Sequence, residues 1–177
     1  MLGFCEQVVI AHPIERVYST LRDRLAELVA YTPALESVET LERSEPEPGR
    51  VHLVNRWQAN RSAAPKIVRP FMTRSLLSWK DVAEWDQASW STRWRFETFH
   101  FDKLFDCEGH NCYEEVEGGT RFTMNGSLSV YPERMPGVPR TMAKRLGPRV
   151  ERFILKLVRP NLTALIHGLQ GFLDQAD

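Results

Sequence analysis

Apolar and polar side chains alternate through SWSTRWRFETFH, residues 89–100. That period of two belongs to a β-strand with one buried face. The same alternation predicts strands near 78–86, 104–116 and 120–130, with turns at Asp86–Gln87 and at Glu117–Gly119. Upstream, GFCEQVVIA (3–11) reads as a first strand. SVETLERSEPEPGRVHLVNRWQAN (37–60) reads as two more, joined by a turn from Glu45 to Gly49 whose prolines and glycine fit poorly in a ladder. Elsewhere the spacing is helical. In HPIERVYSTLRDR, Ile14, Val17, Tyr18 and Leu21 fall on one helix face, behind Pro13 and with Glu15 in the first turn. A short second helix over Ala26–Tyr31 must stop near Pro33, because proline pushes its predecessor out of helical geometry. Ile67, Val68, Phe71, Met72 and Leu76 predict a short helix over 65–77. The end of the chain, from Met142 through Leu146, Val150, Phe153 and Leu157 to Leu169 and Phe172, keeps steps of three and four. It predicts one long amphipathic helix, interrupted at Gly147–Pro148 and kinked near Leu157 by Pro160.

Sorting the strands by face gathers the aromatic residues. Four of the five tryptophans lie between residues 78 and 101, and Trp57 is a little upstream. Alternation places Trp90, Thr92, Trp94, Phe96, Thr98 and His100 on one side, with Ser91, Arg93, Arg95 and Glu97 on the other. Trp79, Ala83 and Trp85 form the matching side of the preceding strand, Val51, Leu53, Asn55 and Trp57 that of the strand before it, and Phe122, Met124, Gly126, Leu128 and Val130 that of the last strand. This inner face meets the stripe of the terminal helix, which includes Phe153 and Leu157. Its rings either fill a core or wall a cavity. Polar groups on the same face, among them Asn55, Thr92, Thr98, His100, Asn111 and Tyr113, require partners if buried, at a cost of about 1–3 kcal/mol for each one unsatisfied.

Composition sets bounds on what such a protein can be. A chain of 177 residues with 42% hydrophobic and 26% charged residues fits one globular domain spanning 1–177. It has no run of about 20 apolar residues. MLGFCEQVVIAH has no basic leader region and is broken by Glu6 and Gln7, so a cytoplasmic location and reduced thiols at Cys5, Cys107 and Cys112 are expected. With 23 basic and 23 acidic residues, net charge gives no basis for bulk capture of nucleic acid. Charge is uneven all the same. Arg145, Arg149, Arg152, Lys156 and Arg159 align along the terminal helix, whereas acids gather at Glu36–Glu47 and Asp106–Glu117. The basic stripe is a solvated face, a contact for an anionic membrane surface, where each basic residue contributes about 1 kcal/mol, or a contact for an acidic partner.

Little else suggests chemistry. CEGHNC (107–112) resembles a metal motif, but on a strand Cys107 and Cys112 point to opposite faces and only His110 joins Cys112, so no metal site is expected. EGGT lacks the lysine and helix of a phosphate loop and serves as a hairpin turn. No cofactor is expected. His12, His52 and His167 are isolated in sequence, and His100 is the one histidine suited to proton transfer in a cavity.

A strand, two short helices, an antiparallel meander of about six to seven strands in all and a long last helix is an order with a known likeness. With VVIAHPIERVYSTLRD, YTPALESVETLE and VERFILKLVRPNLTALIHGLQGFLDQ, the chain resembles the START-like, polyketide cyclase and Bet v 1-like superfamily over essentially its whole length. The resemblance implies an α+β helix-grip fold, a curved sheet wrapped around the C-terminal helix. It also implies a cavity between the two for an apolar or amphipathic small molecule such as a lipid, quinone, polyketide or aromatic metabolite. Asn55, Trp57, Trp79, Trp85, Trp90, Thr92, Trp94, Phe96, Met124, Leu128, Phe153 and Leu157 are then its expected contacts. YPERMPGVPR (131–140) would lie beside the mouth, with Met135 and Val138 as gate residues. The superfamily also hosts cyclases and dehydratases, for which His100 would be the proton-transfer candidate. Scaffold alone does not choose between carrier, enzyme and interaction module.

Overall fold

Seven strands pair in the order β1-β7-β6-β5-β4-β3-β2 to form one curved, antiparallel sheet: β1 (Leu2–Ile10), β2 (Leu35–Glu47), β3 (Arg50–Ala59), β4 (Ser78–Asp86), β5 (Ser91–Thr98), β6 (Phe105–Val116) and β7 (Gly119–Val130). This is a computed structural model that describes residues 1–63, 73–99, 105–131, 134 and 164–175. From β2 to β7 each strand pairs with the next, and β1 returns to pair with β7, Phe4 opposite Gly126.

Alternation decides the faces as expected. Val51, Leu53, Asn55 and Trp57 on β3, Ala83 and Trp85 on β4, Thr92 and Trp94 on β5, and Phe122, Met124 and Leu128 on β7 are all buried. Arg93 and Arg95, between them in sequence, are exposed. Across the sheet the register aligns rows of inner residues, one running Asn55–Asp81–Phe96–Cys107–Leu128.

Helix α1 (Ile14–Asp23) buries Ile14, Val17, Tyr18 and Leu21, the expected stripe. Burial of each such side chain contributes about 1.5–3 kcal/mol. The second short helix is of the tighter 3₁₀ kind, Leu25–Tyr31, and buries Leu28. The last helix, α2 (164–175), buries Leu165, Ile166, Leu169 and Leu173. Polar bonds tie it to the β1–α1 corner and to the 3₁₀ helix: Ala11 N–H donates to Gln170 Oε1 (2.8 Å), Arg16 Nη2 to the Leu173 carbonyl (3.0 Å), and Tyr31 OH to Gln175 Oε1 (2.8 Å). His12 Nε2 lies 2.7 Å from Asp174 Oδ1.

Two expectations need correction. The β2–β3 turn does not begin at Glu45: β2 continues through Pro46 to Glu47. Proline is admissible there because β2 is an edge strand and the pairing skips register between Ser44 and Glu47. Trp90 is not on a strand. The turn after β4 occupies 87–90, and Trp90 adopts φ 45°, donating its N–H to the Gln87 carbonyl (3.3 Å) and accepting from Tyr113 N–H (3.0 Å). Of the helix expected over 65–77, residues 65–72 lie outside the described residues, and its last part is a 3₁₀ turn, Ser75–Leu77. The stretch from Met142 to Leu157, with its expected kink, also lies outside them.

Candidate functional site

Between the inner face of the sheet and α2 lies a cavity of about 90 Å³. Phe4 and the β3–β7 side chains Trp57, Asp81, Ala83, Trp85, Thr92, Trp94, Phe96, Cys107, Asn111, Tyr113, Phe122 and Met124 form the sheet side, and Leu21, Leu25, Leu165 and Ile166 the helical side. The volume is near that of three water molecules, since each occupies roughly 30 Å³. Two larger hollows lie elsewhere. One of about 360 Å³ is bordered by the Glu36–Arg74 ion pair and Arg61, and another of about 1000 Å³ is spread over the outer face around Arg93, Arg95 and His110. Both are open and bordered by charged side chains.

Aromatic packing divides the inner face. At one end Tyr18 receives three rings edge-on, those of Trp85 (5.1 Å between centroids), Trp90 (5.1 Å) and Tyr113 (5.0 Å), and its hydroxyl donates to the Ser91 carbonyl at 3.3 Å. Edge-to-face pairs of this kind contribute about 0.5–1.5 kcal/mol beyond burial. Toward the other end Trp57 stacks on Trp79 at 6.0 Å, Trp79 meets Phe96 at 6.1 Å and Phe96 meets Trp94 at 5.0 Å. Trp94 lies flat because Gly109 and Gly126 occupy its row: a Cβ on Gly109 would sit 2.5 Å from Trp94 Cζ2, and one on Gly126 2.5 Å from Phe4 Cζ. In that pose Trp94 Nε1 donates to Asn111 Oδ1 at 2.9 Å.

Other polar atoms here have no such partner. Among the described residues, Trp57 Nε1, Trp79 Nε1, Trp85 Nε1, Asp81 Oδ1, Thr92 Oγ1 and Tyr113 OH are buried without a hydrogen bond. Asp81 is the most consequential of them. Its side chain alternates with Trp79 and Ala83 on the inner face, is 8% exposed, and has a pKa raised to about 7 by burial. The nearby Trp57 indole holds that rise back, short of hydrogen-bond geometry. Burial, with Asp81 and then Glu108 adding to it, pushes the Cys107 thiol up to about 12, so it stays protonated. The Tyr113 phenol is likewise raised by burial.

Of the residues singled out from sequence, Trp57, Trp85, Thr92, Trp94, Phe96 and Met124 border the cavity. Asn55 is inward but is engaged by Thr40 Oγ1, which donates to its Oδ1 at 2.8 Å, and Leu128 is buried beside Cys107. Trp79 reaches the wall only through Trp57 and Phe96, and Trp90 packs on Tyr18. His100, Met135, Val138, Phe153, Leu157 and the basic residues Arg145, Arg149, Arg152, Lys156 and Arg159 lie outside the described residues. Cys107 and Cys112 do point to opposite faces, Cys107 buried and Cys112 half-buried. Asp81 is the residue that reasoning from sequence misses. The signal is present, since the period of two that places Trp79 and Ala83 inward places Asp81 with them.

No protein-family model matches the sequence, and no curated protein matches it. Solved structures do. The protein TTHA0849 of Thermus thermophilus aligns over 99% of both chains at 21% identity and TM-score 0.68. The ZhuI aromatase/cyclase of Streptomyces sp. R1128 aligns over 98% of this chain and 94% of its own at 16% identity and TM-score 0.70. A START superfamily protein of Mycobacterium smegmatis aligns over 99% of both at 16% identity and TM-score 0.58. The fold is that of the START-like, polyketide cyclase and Bet v 1-like proteins. Within this fold the cavity of about 90 Å³ lies between the curved sheet and the last helix. Among the described residues no helix is long and apolar enough to cross a membrane.

Proposed function

We propose that the protein binds an apolar or amphipathic small molecule, without covalent chemistry, in the cavity between the sheet and the C-terminal helix. One observation carries this reading: the wall is mostly rings and aliphatic side chains, yet bears buried polar atoms with no partner among the described residues. Apolar walls with a few convergent polar groups characterise small-molecule sites. Pockets for drug-sized ligands usually measure about 300–1,000 Å³. A cavity of about 90 Å³ is well below that. A single ring is therefore near the size the cavity accepts with small side-chain shifts, and a longer guest requires the wall to part. The test is native mass spectrometry of the purified protein together with tryptophan fluorescence during titration with apolar compounds. Co-purified mass and a changed emission support binding. An empty protein whose emission ignores every compound refutes it.

A second reading, a cyclase or dehydratase in the same cavity, draws support from Asp81. A buried carboxyl with a pKa of about 7 is suited to passing a proton to or from a guest. Turnover of a polyketone substrate that is lost in Asp81→Asn would favour the enzyme, and unchanged turnover would remove Asp81 from it. Contact of Arg145, Arg149, Arg152, Lys156 and Arg159 with an anionic membrane is a separate proposal, resting on their helical spacing in the sequence alone. Co-sedimentation with anionic but not neutral vesicles would support it.

A further inference from the structure

We infer that Asp81 anchors the guest by accepting a hydrogen bond from a hydroxyl carried on an apolar ring, so that the cavity selects hydroxylated rings over bare hydrocarbons of the same size. The inference rests on the binding reading above and specifies the guest's chemistry. Asp81 is the only acid on the described wall, and its Oδ1 is one of the buried atoms without a partner. Trp57 and Trp85 add indole N–H groups, which can only donate, and Thr92 and Tyr113 add hydroxyls, which can do either. Each candidate guest meets this set differently. A hydrocarbon satisfies none of it. An ammonium group brings donors to Asp81 but leaves the indole donors as they were. A hydroxyl donates a hydrogen bond to the carboxylate and accepts one from an indole N–H, answering both kinds of unmet group with one atom.

The surroundings make the choice depend on pH. Asp81 faces Asn55 and Trp57 from β3, Phe96 from β5 and Cys107 from β6, with Leu21 of α1 and Leu165 and Ile166 of α2 across the cavity. Among the described residues no charged group acts on it, and the Cys107 thiol stays protonated. A guest that donates to the carboxylate favours its ionised form, so affinity for that guest rises as pH passes through about 7. A hydrocarbon, which only deepens burial, gains nothing from the change.

The experiment titrates the full chain and Asp81→Asn with phenol, toluene and benzylammonium, by calorimetry, at about pH 5.5 and about pH 8.5, where phenol and toluene keep one protonation state and Asp81 does not. The expected result is phenol binding more tightly than toluene at the higher pH, by about tenfold, with most of that preference gone at the lower pH. In Asp81→Asn, which keeps the size of the side chain but cannot ionise, the preference should be independent of pH. Equal binding of phenol and toluene would leave the cavity reading standing and overturn the role of Asp81. So would tighter binding of benzylammonium than of phenol, or a phenol preference that does not change with pH in the unmodified chain. If none of the three binds, both the role of Asp81 and the binding reading fall.

Discussion

The two ends of the inner face use the same kinds of ring but differ in how the rings meet and in the polar groups set among them. Around Tyr18 the rings of Trp85, Trp90 and Tyr113 meet edge to face at about 5 Å, and the Tyr18 hydroxyl finds a backbone acceptor. Around Asp81 the rings of Trp57, Trp79 and Phe96 stack or tilt near 6 Å, and neither the carboxyl Oδ1 nor the Trp57 and Trp79 indole N–H groups find a partner among the described residues. Tryptophan content is therefore no guide to a pocket in itself. Orphaned polar atoms occur at both ends, Trp85 Nε1 and Tyr113 OH among them, so what distinguishes the Asp81 end is a buried carboxyl beside the cavity.

Removing a ring tests this contrast most severely. Tyr18 is 1% exposed, so Tyr18→Ala should cost about 3–5 kcal/mol in chemical denaturation, the range for a buried aromatic. Phe96, half-buried at the other end, should cost clearly less when cut to alanine. Equal losses would mean that the two ends are packed alike.

Asp81 gives a pH-dependent difference. Its carboxyl loses a proton near the ordinary value of 3.8 in the unfolded chain but at about 7 in the folded one. Below the unfolded value both states are protonated and ionisation costs nothing. Between the two values the unfolded chain has lost a proton that the folded chain keeps, so stability falls as pH rises, and above about 7 the penalty is complete. At 1.36 kcal/mol per pKa unit the full penalty is on the order of 4 kcal/mol. Asp81→Asn, which cannot ionise, should therefore gain on the unmodified chain as pH rises from about 4 to about 7, measured by denaturant midpoints in a pH series. A constant difference across the series would show that Asp81 is not buried as described. The smallest of the three effects concerns the geometry between the ends. Gly109→Ala drives a Cβ toward Trp94 and the backbone of β7, and should cost about 1–3 kcal/mol while shifting Trp94 emission.

Much of this is legible in the sequence, and the failures have physical causes. Strand faces follow from alternation because one side of the sheet is buried, and the α1 stripe follows from its spacing of three and four. The end of β2 is misplaced because proline normally excludes a ladder, and only the position of β2 at the sheet edge admits it. Trp90 falls on the strand by sequence because alternation continues through it. The turn that takes it out rests on a positive φ and a bond from Tyr113 that no local pattern encodes. Asp81 is easily passed over for its charge, although its position in the alternation is as regular as that of Trp79. Cavity size is not legible at all, since it depends on how far side chains from six strands and three helical segments interdigitate.

Phe96, Trp94 and Met124 border the cavity with Asp81, whereas Trp90 packs on Tyr18 away from it, so a small apolar guest enters beside Asp81 and not between Trp90 and Tyr18. Intermolecular NOEs from toluene to the assigned side chains of the full chain report its position directly. Contacts are expected to Phe96, Trp94 and the Met124 methyl, and none to Trp90. Contacts confined to Trp90 or to the outer face, or no contacts at saturating toluene, would contradict this placement.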